Sequence, residues 1–578
     1  MILQALTAYY QALADRGEIA APGWGPVKVS YALCLGADGA LEQVVSVQTE
    51  QAKGKKTVLA PQVMSLPAPV KRSSGVSANF LCDNSGYLLG VDNKGKPQRA
   101  LECFRACKEL HEALLEGVDS PVARAVLAFF QAWQPEQAAE HPALAEHLEE
   151  VLSGVNLVFR CDGTYAQDDP LIRHAWEAHY QSAGDGPRMV CLVTGEEGPV
   201  ESVHPAIKNV QGAQSSGAAL VSFNAPAFCS YGREQNLNAP TGKFAAFAYT
   251  TALNHLLADR DHVYHMGDAT VVCWARGGGD AYQSLFGGAF FGDDLPRYDA
   301  NDLRAMVDKL CRGESVLFNE EQLDPDMDFY VLGLSPNAAR LSVRFFLHNS
   351  FGAFLRNARA HQRRLEIVKP AYDKFDTLPL WKLLAETVNQ NSRDKSPSPG
   401  LAGEVLRSVL TDTPYPATLL NGVVLRIRAE HTVTRGRAAI LKAYYLKAPN
   451  KDVPKEVLTV SLNPDSTNIP YNLGRLFSVL EAIQSAANPG INSTIKDKYF
   501  NSASATPAHV FPVLLNLAQK HLKKLDTGLR TYYDKQLTAL LGKLGESYPA
   551  RMNLPQQGSF QLGYYHQTQV RYEKKEEK

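Results

Sequence analysis

Metal chemistry, if this chain performs any, would start in DRDHVYHMGD, Asp259 to Asp268. Here His262, His265, Asp259, Asp261 and Asp268 lie close together in sequence. Imidazoles and carboxylates are ligands of metal-dependent nucleases. A helix would put His262 and His265 on one face; a strand would put them on opposite faces. The stretch reads as a helix end followed by a strand, with no HExxH and no paired-acid signature. Structural or surface histidines are the plainer expectation. Thr241-Gly242-Lys243 looks like the end of a phosphate loop, but Phe244 stands where Ser or Thr should hold magnesium, and the upstream glycine is missing. Gly277-Gly278-Gly279 lacks the rest of a dinucleotide fingerprint and reads as a turn. Cys103 and Cys107 share a helical spacing, yet no second pair completes a zinc site, so buried thiols are expected. No GxSxG elbow occurs.

Two polar strips are more informative. Lys71 to Gly90, KRSSGVSANFLCDNSGYLLG, sets a Lys-Arg pair before small hydroxyls and amides. Gln211 to Lys243, QGAQSSGAALVSFNAPAFCSYGREQNLNAPTGK, mixes Gln, Asn, Ser, Arg and Lys with glycines that let a backbone approach a ligand. Asn and Gln amides read base edges; Ser, Lys and Arg hold phosphates. Phe223, Phe228 and Tyr231 offer stacking faces, with core packing the plainer use of the phenylalanines. A basic turn at Lys53, Lys55 and Lys56 offers further phosphate contacts. The alternative for each strip is a set of turns that satisfy their own polar groups.

Charge sharpens this reading. Residues 401–578 carry 23 Lys and Arg against 14 Asp and Glu, and residues 1–400 carry 36 against 46. The net charge of −1 therefore hides a basic C-terminal region, which suits a local polyanion contact or a solvated basic face.

The elements that must position these groups follow from periodicity. With 578 residues, two to four domains are expected. Residues 1–150 open with an amphipathic helix, pass through the β-like VKVSYALCL and TVLAPQVM, and continue as a helical stretch from Gln98 to Leu152. Residues 151–350 read as strand-rich: VNLVFRCDG, RMVCLVTG, AALVSFNA, HVYHMGDATVVCWA, MDFYVLGLS and LSVRFFLHNSFG, with one helix at KFAAFAYTTALNHLLADR. Residues 351–578 read as a helical bundle interrupted by the loop NQNSRDKSPSPGLAG. The expected class is α+β: a mixed α/β N-terminal part with a strand-rich central domain, followed by a C-terminal helical bundle. Nine cysteines without a regular framework suggest reduced thiols. The N-terminus does not read as a signal peptide, and no apolar run reaches the roughly 18 residues of a membrane helix. A cytoplasmic protein without a membrane partner is expected.

GAQSSGAALVSFN, SYGREQNLNAP, AAFAYTTALNHLL, KRSSGVSANFLCDNSGYLLG and YNLGRLFSVLEAIQSAAN, spread in order along the chain, resemble the large subunit of the type I-C CRISPR surveillance complex, Cascade. The resemblance implies a non-enzymatic, cofactor-free subunit that recognises a protospacer-adjacent motif (PAM), assists duplex opening and R-loop stabilisation, and recruits a helicase-nuclease. It implies as partners crRNA, double-stranded target DNA, its displaced strand, and the backbone, handle-binding and small Cascade subunits. The C-terminal bundle resembles a Cascade small subunit. In type I-C systems such a subunit is made from within the same gene. No Met lies between Met327 and Met552, so an internal product covering the bundle would need a non-AUG start. The expected DNA- or RNA-binding residues are Lys53, Lys55, Lys56, Lys71, Arg72, Ser73, Ser74 and Asn79. In the second strip they are Gln211, Gln214, Ser215, Ser216, Asn224, Arg233 and Asn236. In the bundle they are Arg426, Arg428, Arg435, Arg437, Lys442, Lys520, Lys523 and Lys524. A metal-dependent nuclease using His262, His265 and Asp268, or a purely architectural subunit, are the competing readings.

Overall fold

The computed structural model describes residues 1–53, 56–70, 72, 75–182, 187–291, 298–393, 395–398 and 400–572. The chain forms two compact units, Met1–Pro205 with Val221–His255, and Ala206–Leu220 with Leu256–Lys578. The N-terminal part is mixed α/β, strands continue through the centre, and helices dominate the C-terminal part.

The first unit is built on a sheet ordered Leu41–Ser46, Tyr31–Leu35, Asn156–Cys161, Cys82–Asn84. Tyr31–Leu35 runs parallel to Asn156–Cys161, with Tyr31 beside Leu157. A parallel pair requires a long crossover. Here the crossover carries helices Pro97–Leu115 and Pro121–Ala132, which bury Phe104, Phe129 and Phe130 with Leu33 and Phe159 of the sheet. The helical stretch expected from Gln98 to Leu152 is thus interrupted. Ser120 caps the second helix, its hydroxyl accepting the Val122 and Ala123 N–H groups at 3.1 and 3.3 Å. Pro121, Pro135 and Pro142 each open a new helical piece, because proline fits the first turn but not the interior. Likewise TVLAPQVM breaks at Pro61 into Lys56–Ala60 and Gln62–Pro67. These strands pair with Thr49–Lys53 and Trp24–Val29 as two separate ribbons.

The second unit holds an antiparallel sheet ordered Tyr264–Met266, Ala269–Ala275, Asp328–Asn337, Arg340–Ser350. Every residue of Ala269–Ala275 is buried, as in a strand covered on both faces. AALVSFNA, expected as a strand, contributes only single bridges, Ala218 to Ile207 and Ala219 to Arg340. Ser350 caps the helix Phe351–Leu365, its hydroxyl accepting the Ala353 N–H at 3.3 Å. One hydrophobic core runs from Val271 and Phe329 of the sheet to Phe560 and Tyr564 of the last helix. Within it, helices Ile469–Ala487 and Leu554–Val570 cross at two glycines. A Cβ on Gly474 would collide with the Phe560 carbonyl, and one on Gly563 with the Tyr471 carbonyl. The two backbones therefore touch where no side chain intervenes. No helix among the described residues is long and apolar enough to cross a membrane, and all nine cysteines are unbridged.

Candidate nucleic-acid interface

The first strip is a laced loop. The Arg72 guanidinium donates to both carboxylate oxygens of Asp83, at 3.0 Å for the Nη1 bond, and its Nε–H donates to the Ser77 carbonyl at 2.6 Å. It also lies 3.9 Å from the Tyr87 ring centroid. Asp83 has a side chain only 1% exposed and accepts the Asn79 and Asn84 N–H groups at 3.0 and 2.9 Å as well. Burial alone would lower the Arg72 pKa; the Asp83 carboxylate more than offsets this and holds it above the usual arginine value. Asn79 Oδ1 accepts the Val70 N–H at 2.9 Å, and Arg99 ties Gly75 through its carbonyl at 2.8 Å. Leu81 sits fully buried in the left-handed region at φ 63°, its N–H donating to His111 Nε2 at 3.0 Å. Arg72 and Asn79 thus act first on the loop itself. Lys71, Ser73, Ser74 and Lys55 lie outside the described residues. For Lys53 and Lys56 only the backbone is described, and it sets them opposite one another in the Thr49–Ala60 ribbon.

The second strip divides between the two units. Gln211, Gln214, Ser215 and Ser216 belong to the second unit and are exposed. Gly217 N–H donates to the Gln214 carbonyl at 2.9 Å, closing a turn that presents Gln214, Ser215 and Ser216. Asn224, Arg233 and Asn236 belong to the first unit. Asn224 and Arg233 are exposed, but Asn236 is buried, which corrects its placement among surface contacts: its N–H faces the Ser202 carbonyl at 3.3 Å inside the fold. The loop from Ser230 to Asn238 has an organising side chain. Asn238 Oδ1 accepts the Ser230 N–H at 2.8 Å, and its amide donates to the Arg233 and Gln235 carbonyls at 3.0 and 2.9 Å. At its apex Tyr231 is 99% exposed and left-handed, φ 55°.

The bundle cations separate into two groups. Arg437 is buried and pairs with Glu386 at 3.3 Å and Glu430 at 2.5 Å, while Lys442 is buried with its Nζ donating to the Arg364 and Glu366 carbonyls at 3.0 and 2.8 Å. Burial lowers the Lys442 pKa. Arg435 pairs with Asp373 at 3.0 Å. Arg437 and Lys442 were expected on a nucleic-acid face; the structure engages them inside the protein, since a buried cation demands a partner, whereas Arg435, also expected there, is paired but lines a cavity. Arg426 pairs with Glu430 at 3.6 Å, and Arg428 donates to Gln557 Oε1 at 2.9 Å. Lys520, Lys523 and Lys524 are exposed at the end of the helix Pro507–Leu522, and Lys524 donates to Asn488 Oδ1 at 3.1 Å.

The remaining motifs are accounted for locally. His262 shares Nδ1 with Asp259 at 2.5 Å and Nε2 with the Ser284 hydroxyl at 3.0 Å. Asp268 pairs with Arg344 and accepts the Gly400 N–H at 3.3 Å. Among the described residues no three His, Cys, Asp or Glu side chains group as metal ligands. Lys243 Nζ donates to the Tyr180 carbonyl at 2.8 Å, and Gly242 N–H to Cys191 Sγ at 3.1 Å, so the TGK turn closes on protein. Burial pushes the Cys107 thiol well above its usual pKa. Neither Asp83 nor Asn238 stands out in the sequence as a hub; the signal was there only as an acid or amide following a glycine-rich polar run.

A family model described as CRISPR-associated protein (Cas_Csd1) matches residues 6–572. No curated protein matches the chain.

Proposed function

The chain belongs to the Cas_Csd1 family of CRISPR-associated proteins and so has a role in a CRISPR system; on that premise we propose that it is the large, non-catalytic DNA-recognition subunit of a type I-C Cascade. In such a complex RNA–DNA pairing carries the long-sequence specificity. The protein need read only a short PAM and start the opening of the duplex. Base-edge contacts worth about 1–3 kcal/mol each suffice for the reading. Opening costs a few kcal/mol per unstacked step, which an inserted side chain offsets.

The observation that carries this reading is Tyr231. An aromatic ring 99% exposed, on a non-glycine residue with φ 55°, is unfavourable twice over. The three Asn238 hydrogen bonds hold it there. We assign Tyr231 as the wedge and Arg233 as its neighbouring phosphate contact. Asn224, Gln214, Ser215 and Ser216 supply further base-edge or backbone contacts, and Lys520, Lys523 and Lys524 follow a strand backbone. The test uses the assembled complex with a PAM-containing duplex, either fully paired or opened beforehand beside the PAM. Tyr231→Ala weakens binding to the paired duplex about ten-fold or more and leaves the opened duplex nearly unchanged. Equal binding of wild type and Tyr231→Ala to the paired duplex removes the wedge.

A further inference from the structure

We propose that the segment 369–381, with the cavity beside it, is a second site in the second unit that takes an unpaired nucleotide of a single strand. This rests on the reading above only in that the complex brings single strands to this unit. The segment reads KPAYDKFDTLPLW. Tyr372 is 86% exposed, Trp381 57%, and Phe375 is exposed too. Phe375 and Trp381 meet edge to face at 6.0 Å, and Lys382 Nζ lies 3.9 Å from the Phe375 centroid. Phe375 and Trp381 are thus an exposed aromatic pair, with Tyr372 exposed three residues before Phe375 in sequence.

Charged latches hold the rings in place. Arg435 Nη1 donates to Asp373 at 3.0 Å and to the Phe375 carbonyl at 2.6 Å, and Nη2 to the Asp376 carbonyl at 2.8 Å. Lys382 donates to Asp373 at 3.2 Å from the other side. Burial would raise the Asp373 pKa, but the Phe375 N–H, Arg435 and Lys382 hold it below the usual carboxylate range. The display is therefore pre-organised, which lowers the entropic cost of binding.

The same segment contributes Lys369, Asp376, Thr377 and Leu378 to a cavity of about 380 Å³, where Arg304, Arg359 and Arg435 stand with Glu366. One of those carboxylates, Asp376, is already paired with Lys369 at 2.6 Å. The Arg435 side chain is 9% exposed, and its Nε–H is buried without an acceptor. Arg359 is likewise paired with Asp308 at 3.2 Å and Arg435 with Asp373 at 3.0 Å, whereas Arg304 makes no ion pair within 4 Å among the described residues. That guanidinium, the unpartnered Arg435 Nε–H and the exposed rings of the same segment together select a ligand. It must be anionic and carry flat apolar rings. A duplex hides its base faces, and an acidic peptide offers no row of rings. An unpaired nucleotide has both, its phosphate toward the cavity and its base on the rings. The guide RNA and the displaced DNA strand share this chemistry.

The test titrates the full-length protein with single-stranded DNA and RNA oligonucleotides of about 12 nucleotides, reading tryptophan fluorescence and the anisotropy of a labelled strand. Trp381 is the strongly exposed tryptophan, since Trp24 and Trp274 are buried and Trp133 and Trp176 each donate to a backbone carbonyl at 2.9 Å. Binding quenches its emission. Tyr372→Ala and Trp381→Ala each weaken binding about five-fold or more, Trp381→Phe restores most of it, and Arg304→Ala lowers the salt slope by about one. Preference for RNA assigns the guide, and preference for DNA assigns the displaced strand. Either supports the site. Absence of quenching by both strands, or unchanged affinity in Trp381→Ala, overturns it. So does a Trp381→Ala protein that binds strands normally but falls out of the assembled complex, because the rings then dock a protein. Loss of PAM-dependent binding is read separately on the duplex, so failure of the wedge and failure of this site are distinguishable.

Discussion

Replacing Arg72 by Ala tests whether the first polar strip contacts nucleic acid directly or builds a scaffold. In the structure the Asp83 carboxylate accepts five hydrogen bonds, two from the guanidinium, two from backbone N–H groups and one from the Asn84 side-chain amide at 3.3 Å. Arg72→Ala removes the two charged donors and leaves a carboxylate with a 1% exposed side chain on three neutral ones. Breaking a fully buried pair costs about 3–5 kcal/mol. The Arg72 side chain is 26% exposed, so water replaces part of its charge and about 2–3 kcal/mol is the fairer figure. Arg72→Ala/Asp83→Asn should recover much of the loss, because an amide tolerates the missing cation. Two units make a single unfolding free energy ill-defined, so the assay is hydrogen exchange at the Asn79 and Asn84 amides. Their protection should fall about 30-fold or more in Arg72→Ala, the equivalent of about 2 kcal/mol, and rise again in the double variant. Unchanged protection in Arg72→Ala, with weakened binding of the complex to target DNA, would refute the scaffold and make Arg72 a direct contact.

Two further perturbations follow from the cores. Burial lowers the pKa of His111 and His204 in the first unit to about 4, and in the second unit that of His361 to about 3 and His566 to about 4. Each is more easily protonated unfolded, so stability is full above about pH 6.5 and declines as pH falls toward about 4. At pH 5 the loss is about 2 kcal/mol per histidine. Urea unfolding at about pH 7.5 and 5 should show the midpoint falling, with His111→Gln flattening the decline of the first unit; a midpoint independent of pH would sink the argument. At the helix crossing, Gly474→Ala and Gly563→Ala each drive a methyl into a backbone carbonyl and should cost about 3 kcal/mol. Gly542→Ala, whose Cβ would meet only ordinary contacts from 3.4 Å, is the control in thermal melts. Equal melts for the three variants would show that the helices do not cross this closely.

Period and punctuation made much of the fold legible. VNLVFRCDG became Asn156–Cys161, MDFYVLGLS became Asp328–Asn337, and KFAAFAYTTALNHLLADR became Lys243–Ala258, because each has one repeat length over its whole span. What escaped the pattern was decided at a distance. AALVSFNA has strand composition but lacks a neighbour for a full ladder. The crossing of Gly474 with Gly563 joins positions far apart in sequence. In the candidate sites the residue types were legible and their employment was not. Arg72 and Asn236 look like contacts until Asp83 and burial are seen, and KPAYDKFDTLPLW falls inside the stretch read as helical bundle, where nothing in the pattern marks its three rings as exposed.

The basic character of residues 401–578 illustrates why charge counting and charge presentation differ. Of its cations, Arg437 pairs with Glu386 and Glu430, Lys447 with Asp412 at 2.8 Å, and Lys442 caps two carbonyls. Glu386 and Lys442 both suffer from desolvation, which raises the one pKa and lowers the other. Such groups hold helices in register and contribute little field outside the protein, because each buried charge sits beside its compensation. Lys520, Lys523 and Lys524 stand on the surface, and screening over roughly 8–10 Å keeps their influence local. These three gather at the end of Pro507–Leu522, while Lys451, Lys498, Lys535 and Arg551 are exposed elsewhere along the chain. In the proposed single-strand site, exposed rings such as Tyr372 and Trp381 would supply a hold that salt does not screen.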